Sequence, residues 1–197
     1  MTLSSYGRHL AAAAFLSTVI ATPASASPFD ELTKSGDDAL ATYQSVYIAP
    51  VQVDLPTDTR RSVRDINSPR PVTERDQALR AERLQRDLTR AFGKNFELAE
   101  APGEDVLTVE TTLTGLRSSR PTIADQSAEV LLDFNSVYAG GADYTVRLSE
   151  ASTVLVEIEE RDRSNLNDGR PRIGVWQDAD RSSRRFSTRL AKYVRNN

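Results

Sequence analysis

The stretch Leu107-Thr108-Val109-Glu110-Thr111-Thr112-Leu113-Thr114 decides the fold class. Leu107, Val109, Thr111 and Leu113 fall on one side of an extended chain, and Thr108, Glu110, Thr112 and Thr114 on the other, so this is a strand with one buried and one wet face. Tyr144, Val146 and Leu148 repeat the period, and Val154, Val156 and Ile158 return after a turn over Ser149 to Ser152; together they predict an antiparallel meander. Val130, Leu132 and Phe134 carry the same alternation until Gly140 and Gly141 interrupt it. Upstream, Ser45 to Val53 forms another strand, with Val46 and Ile48 on one side and Tyr47, Ala49 and Val51 on the other. Phe96 to Ala99 forms a short one.

Two helices complete the pattern. Thr73 is a good N-cap, Glu74 and Asp76 occupy the first turn where the helix dipole favours negative charge, and Gly93 stands at the C-terminal boundary. Between them Ala81, Leu84, Leu88, Ala91 and Phe92 recur at helical spacing. Glu82 and Arg86 on the outer face are worth only about 0.2–0.5 kcal/mol, whereas each of Leu84, Leu88 and Phe92 gains roughly 1.5–3 kcal/mol by burial. The last helix runs from about Asp180, with Phe186, Leu190, Tyr193 and Val194 on its apolar stripe. Segregated strands and helices predict an α+β fold: a two-layer domain with a mainly antiparallel sheet and both amphipathic helices packed on one face.

The chain opens with Arg8 and His9, an apolar run from Leu10 to Ile20, and Ala24-Ser25-Ala26, the pattern of a cleavable export signal cut after Ala26. An apolar run of roughly a dozen residues is shorter than the 20 or so needed to span a bilayer. Residues 1–26 are therefore expected as a signal peptide, 27–44 as a flexible lead-in, and 45–197 as a single domain. The absence of cysteine removes the lipid-bearing residue of a lipoprotein signal, so the expected location is periplasmic or secreted. Without Arg8, the 25 basic residues become 24 against 28 acidic ones, a net charge of −4. Mild acidity with mixed signs argues against a general nucleic-acid binder. The polar stretch from Asp54 to Pro71 is long for a connection inside a compact domain, and such segments are either functional or disordered.

After the signal there is no histidine and no cysteine, which excludes Ser-His-Asp and Cys-His catalysis and removes the usual zinc, copper and haem ligands. There is no P-loop, no G-x-G-x-x-G, no G-x-S-x-G and no Ser-x-x-Lys; no cofactor is expected. Carboxylate chemistry survives. Glu110, Asp133, Asp143, Glu157 and Glu159 are the candidates for a glycan hydrolase, though the polar side of alternating strands equally makes Glu110, Glu157 and Glu159 a solvated sheet face.

Arg181, Arg185, Arg189 and Lys192 fall along one stripe of the last helix, with Arg184 nearby. Arg161, Arg163, Arg170 and Arg172, the last two beside Gly169 and Pro171, add positive charge to the segment before it. Arginines can grip phosphate or carboxylate bidentately, so Arg170, Arg172 and the stripe form a candidate surface for anionic lipid, lipopolysaccharide or an acidic envelope protein. The same stripe also suits a solvated outer face whose late charges complement the helix dipole. Trp176, just before the helix, fits a core anchor or an exposed recognition side chain.

Ser45-Val46-Tyr47-Ile48-Ala49-Pro50-Val51, the amphipathic helix, Gly141-Ala142 with its Val/Leu hairpin, and Trp176-Gln177-Asp178-Ala179 opening a helix with Phe186 and Leu190 together resemble the bacterial envelope family called domain of unknown function 3313. That resemblance implies a Gram-negative envelope protein without an assigned activity, often a lipoprotein, and it supplies no functional residues. The missing cysteine departs from the lipoprotein habit. The favoured expectation is a non-enzymatic binding or accessory module, the alternative a carboxylate-dependent hydrolase of glycans.

Overall fold

The computed structural model describes residues 27–35, 39–55, 72–119, 140–162 and 174–197. Their order is β1 (Glu31–Lys34), a 3₁₀ turn (Leu40–Thr42), β2 (Ser45–Ile48), β3 (Gln52–Val53), α1 (Glu74–Phe92), β4 (Glu97–Leu98), β5 (Val106–Arg117), β6 (Gly141–Glu150), β7 (Thr153–Arg161) and α2 (Gln177–Asn196). The sheet runs β1-β7-β6-β5-β2-β4, with β3 also paired to β5. Both helices pack on one face, α1 against β2, β3 and β4, and α2 against β6 and α1. The α+β expectation therefore stands.

The sheet is mixed rather than mainly antiparallel. β5, β6 and β7 form the expected antiparallel set, which β1 extends unexpectedly, but β2 pairs parallel with both β4 and β5, and β3 parallel with β5. The physical reason is the α1 crossover, which returns the chain so that β4 enters in the direction of β2. Ser45 to Val53 is not one strand: Pro50 has no N–H to give a ladder, and the chain resumes as β3 only after Val51 has donated its N–H to Gln85 Oε1 at 2.9 Å. The strand expected at Val130 to Phe134 lies outside the described residues, as do the export signal and residues 56–71.

Within residues 27–44, expected as a flexible lead-in, the described residues 27–35 and 39–44 include parts of the body. β1 pairs antiparallel with β7, and Phe29 and Leu40 are buried in the core. Four mostly exposed residues, three of them polar, carry too weak an alternation to announce an edge strand, because only Leu32 packs inward.

Thr73 caps α1 as expected, with a capping box completed by Asp76. Gly93 ends the helix in the right-handed region, so a left-handed turn is not its role; a Cβ there would come within 3.0 Å of the Thr89 carbonyl oxygen and 3.3 Å of Leu98. The hairpin joining β6 to β7 turns through Ala151 at φ 48°. Beneath the helices Leu84, Leu88, Phe92, Leu107, Val109, Leu148, Phe186, Leu190 and Val194 form a contiguous core.

The two helices are parallel and meet along a polar seam. Trp176 Nε1 donates to Asp76 at 2.9 Å, Arg80 reaches Asp180 at 2.5 Å, Ser183 donates to Asp87 at 2.9 Å, and Arg195 donates to Asn95 at 3.3 Å. Ser182, Ser183 and Ser187 are all buried: Ser183 donates across the seam to Asp87, Ser182 to the Ala142 carbonyl oxygen of β6, and Ser187 back to the Ser183 carbonyl oxygen of its own helix.

Candidate functional site

β5 and β7 end, β6 begins and both helices start at one end of the sheet. The described residues Leu55 and Val72, Ser119 and Gly140, and Asp162 and Gly174 flank this end. Charged side chains join the ends of β5, β6 and β7 here. Arg117, the last residue of β5, grips Asp143 of β6 bidentately at 2.6 and 2.8 Å and donates to the Asp162 carbonyl oxygen at 2.7 Å. The Asp162 N–H donates to Asp143 at 3.1 Å, and Arg185 of α2 faces the Asp162 carboxylate at 3.4 Å. Three strand ends and one helix are thus joined in a single clasp.

Two glycines make room for it. A Cβ on Gly115 would stand 2.3 Å from Asp143 Oδ2, and one on Gly141 would stand 3.2 Å from Arg117 Nη2 and 3.3 Å from the Asp162 carbonyl oxygen. Register places Gly115 opposite Asp143 after an irregularity in the β5–β6 pairing, so Asp143 folds over the glycine to reach Arg117. The hydrogen bond to Asp143 raises the Arg117 guanidinium above its already high range, against the opposing effect of burial. Alongside, buried Asp178 accepts from Ser119 Oγ at 2.9 Å, and the Ser119 N–H donates to the Val175 carbonyl oxygen at 2.7 Å, which fixes the start of α2.

The stripe on α2 is divided. Arg181 lies 3.5 Å from Asp178, Arg185 pairs with Asp162, and Arg189 pairs with Glu160 while lying 5.3 Å from the Phe29 ring centre. These three cations face carboxylates of their own chain. Lys192 is exposed. Arg170, Arg172 and Arg163 lie outside the described residues. Trp176 packs partly buried against the core with its N–H on Asp76, nearer to the anchor than to the recognition side chain.

The carboxylate candidates occupy the other face of the sheet. Glu110, Glu157 and Glu159 line an open groove of about 390 Å³ together with Glu31, Thr33, Thr112, Thr145 and Arg147. Asp143 lies in the clasp, and Asp133 is outside the described residues. In register Arg147 sits directly between Glu110 and Glu157 and bonds Glu157 at 3.1 Å. A retaining or inverting pair needs two carboxyls facing each other across room for a sugar and a water. A guanidinium fills that room here. Among the described residues no three His, Cys, Asp or Glu side chains are placed to hold a metal ion, and no helix is long and apolar enough to cross a membrane.

Sequence patterning missed Arg117, Asp162 and Glu160. Glu160 closes β7 on the helix-facing side, where burial pushes its carboxyl above the usual range despite Arg189. The one available signal was parity: Glu160 shares the inward side with Val156 and Ile158, whereas Glu157 and Glu159 do not.

The fold and the clasp define a class: a mixed-sheet α+β module with helices on one face and a charged clasp at one end. The chain belongs to the family described as Protein of unknown function (DUF3313), whose model matches residues 35–167. No curated protein matches it. Among solved structures it is similar to the PelC dodecamer from Paraburkholderia phytofirmans in two crystal forms. In one the identity is 11%, covering 81% of this chain and 97% of that one, with a TM-score of 0.39; in the other, a variant, it is 11%, covering 82% and 96%, with a TM-score of 0.37. Protein XCC0632 from Xanthomonas campestris, described with the family model DUF330, is 11% identical over 82% of this chain and 89% of its own, with a TM-score of 0.34.

Proposed function

We propose that this chain is an exported protein of the bacterial envelope that works as a binding or accessory module, and that its working end is the end braced by Arg117, Asp143, Asp162 and Arg185. The observation that carries the reading is the single charged clasp that joins the ends of β5, β6 and β7 to α2. Recognition residues concentrate in segments displayed by rigid scaffolds. In sequence, Arg163, Arg170 and Arg172 fall between Asp162 and Gly174, three cations suited to an anionic lipid, lipopolysaccharide or acidic protein partner. Arg181, Arg185 and Arg189 serve the frame, because each is engaged by a carboxylate of the chain itself.

The test is affinity capture from the native envelope fraction at low and high salt, with bound proteins and lipids identified by mass spectrometry. A partner released by high salt and lost in Arg163→Ala/Arg170→Ala/Arg172→Ala, with the circular dichroism unchanged, supports the reading. Capture unaffected by the triple variant, or none at either salt, overturns it. Export is tested separately by the N-terminal sequence of the protein recovered from the periplasm, expected to begin at Ser27.

A further inference from the structure

The outer surface of the helix layer is one-sided in charge. By helical periodicity Arg75, Leu79, Glu82, Arg86 and Arg90 fall along the side of α1 opposite to the buried Leu84, Leu88 and Phe92, and all five are exposed. The carboxylate on that side is Glu82, which Arg86 engages. On α2 the side opposite to Phe186 and Leu190 carries Arg184, Thr188, Lys192 and Arg195, all exposed, and no acidic residue. The nearest acid, Asp180, is turned into the seam onto Arg80. Among the described residues no carboxylate pairs with Arg75, Arg184 or Lys192. The whole chain carries a net charge of −3, so bulk composition does not produce this basic side. Its counterpart is the far face of the sheet, where Glu31, Glu110, Glu157 and Glu159 line the groove against Arg147.

The seam sets the two basic stripes side by side. The contacts Asp76–Trp176, Arg80–Asp180, Asp87–Ser183 and Asn95–Arg195 keep the parallel helices in step. From Asp76 to Asn95 that is about 28 Å of helix length at 1.5 Å per residue, with axes about 8–10 Å apart. The cations therefore form a broad array on a two-helix layer instead of closing round a pocket, which suits a plane of negative charge better than a single anion. Two of the three large apolar side chains exposed among the described residues border this array. Leu79, 41% exposed, stands between Arg75 and Arg86 on the stripe. Leu98, 39% exposed, pairs in register with the core residue Val46 and lies beside Gly93 at the end of α1, on the helix-bearing side of the sheet. Apolar side chains set among cations are the composition of a surface that lies in a bilayer interface.

We infer that the outer face of α1 and α2 docks on an anionic phospholipid bilayer, with its cations on the lipid phosphates, Leu79 and Leu98 in the headgroup region, and the acidic sheet face turned to water. None of Arg75, Arg86, Arg90 and Arg184 belongs to the clasp, so this docking stands apart from any partner bound at the clasp end.

Co-sedimentation of the purified protein with vesicles tests this, comparing equimolar phosphatidylglycerol and phosphatidylcholine with phosphatidylcholine alone. The neutral vesicles account for binding through the apolar run of the leader. Binding is expected to be stronger on the anionic vesicles and to fall as salt rises. Each basic side chain at an anionic membrane surface is worth roughly fivefold in partitioning, so Arg75→Gln/Arg86→Gln/Arg90→Gln/Arg184→Gln is expected to lose about 100-fold or more, with the circular dichroism unchanged. Leu79→Ser leaves the charge untouched and is expected to weaken binding about fivefold, which distinguishes a bilayer from a soluble polyanion. Equal binding to the two kinds of vesicle, binding that survives the quadruple variant, or binding indifferent to Leu79→Ser overturns the inference. So does loss of binding in Arg163→Ala/Arg170→Ala/Arg172→Ala alone, which would place lipid recognition on those arginines instead. Should the quadruple variant fail to fold, the exposed single change Arg184→Glu must weaken binding by at least about fivefold; unchanged binding overturns the inference.

Discussion

Two rows of charge cross the same three strands, and they behave differently. On the open face Glu110, Arg147 and Glu157 lie side by side across β5, β6 and β7, with Arg147 and Glu157 both more than half exposed. At the clasp end Arg117 and Asp143 make two bonds instead of one, Asp143 is only 20% exposed, and the backbone of Asp162 closes the arrangement. Both rows pair an arginine with a carboxylate. Water screens the first row, and the glycines at 115 and 141 admit the second into a space where geometry is fixed. Charge content therefore says little about which row holds the molecule together; burial and the number of simultaneous bonds decide it.

Gly115→Ala strikes the clasp hardest. The added methyl would collide with Asp143 from its carboxylate back to its own Cβ at 2.9 Å, so strands β5 and β6 must separate, and the expected loss is about 2–3 kcal/mol in urea unfolding. Asp143→Ala removes the bidentate acceptor without a collision. Its expected loss is about 1–2 kcal/mol, held below the cost of a fully buried pair because Arg117 is 43% exposed and can turn to water. Arg147→Ala on the open face is expected to change stability by less than about 0.5 kcal/mol in the same assay. A loss as large as that of Asp143→Ala would erase the distinction between the two rows.

Local periodicity made the helices and the inward-facing strand residues legible. Leu84, Leu88, Phe92, Phe186 and Leu190 all lie where amphipathy places them, since a helix face depends only on near neighbours in sequence. The parallel pairing of β2 with β5 was not legible, because alternation fixes which side a residue faces and not the direction of its partner strand. β1 was missed for a related reason: with Leu32 as its one inward apolar residue, its place comes from Phe29 in a distant aromatic cluster and from the β7 ladder. Of the candidate surfaces, the carboxylates of the open face were recognised and do share a groove. The arginine stripe was recognised as a row, but its ion pairs with Glu160 and Asp162 depend on where β7 ends against α2, a contact between segments about 25 residues apart.

A pair of double-mutant cycles tests the central distinction most directly: Arg117→Ala with Asp143→Ala, and Arg147→Ala with Glu157→Ala, each measured by urea unfolding. The coupling energy is predicted to exceed about 1 kcal/mol for the clasp and to stay below about 0.3 kcal/mol for the open row. Equal couplings, or a larger one on the open face, would contradict the assignment of the clasp as the frame of the working end.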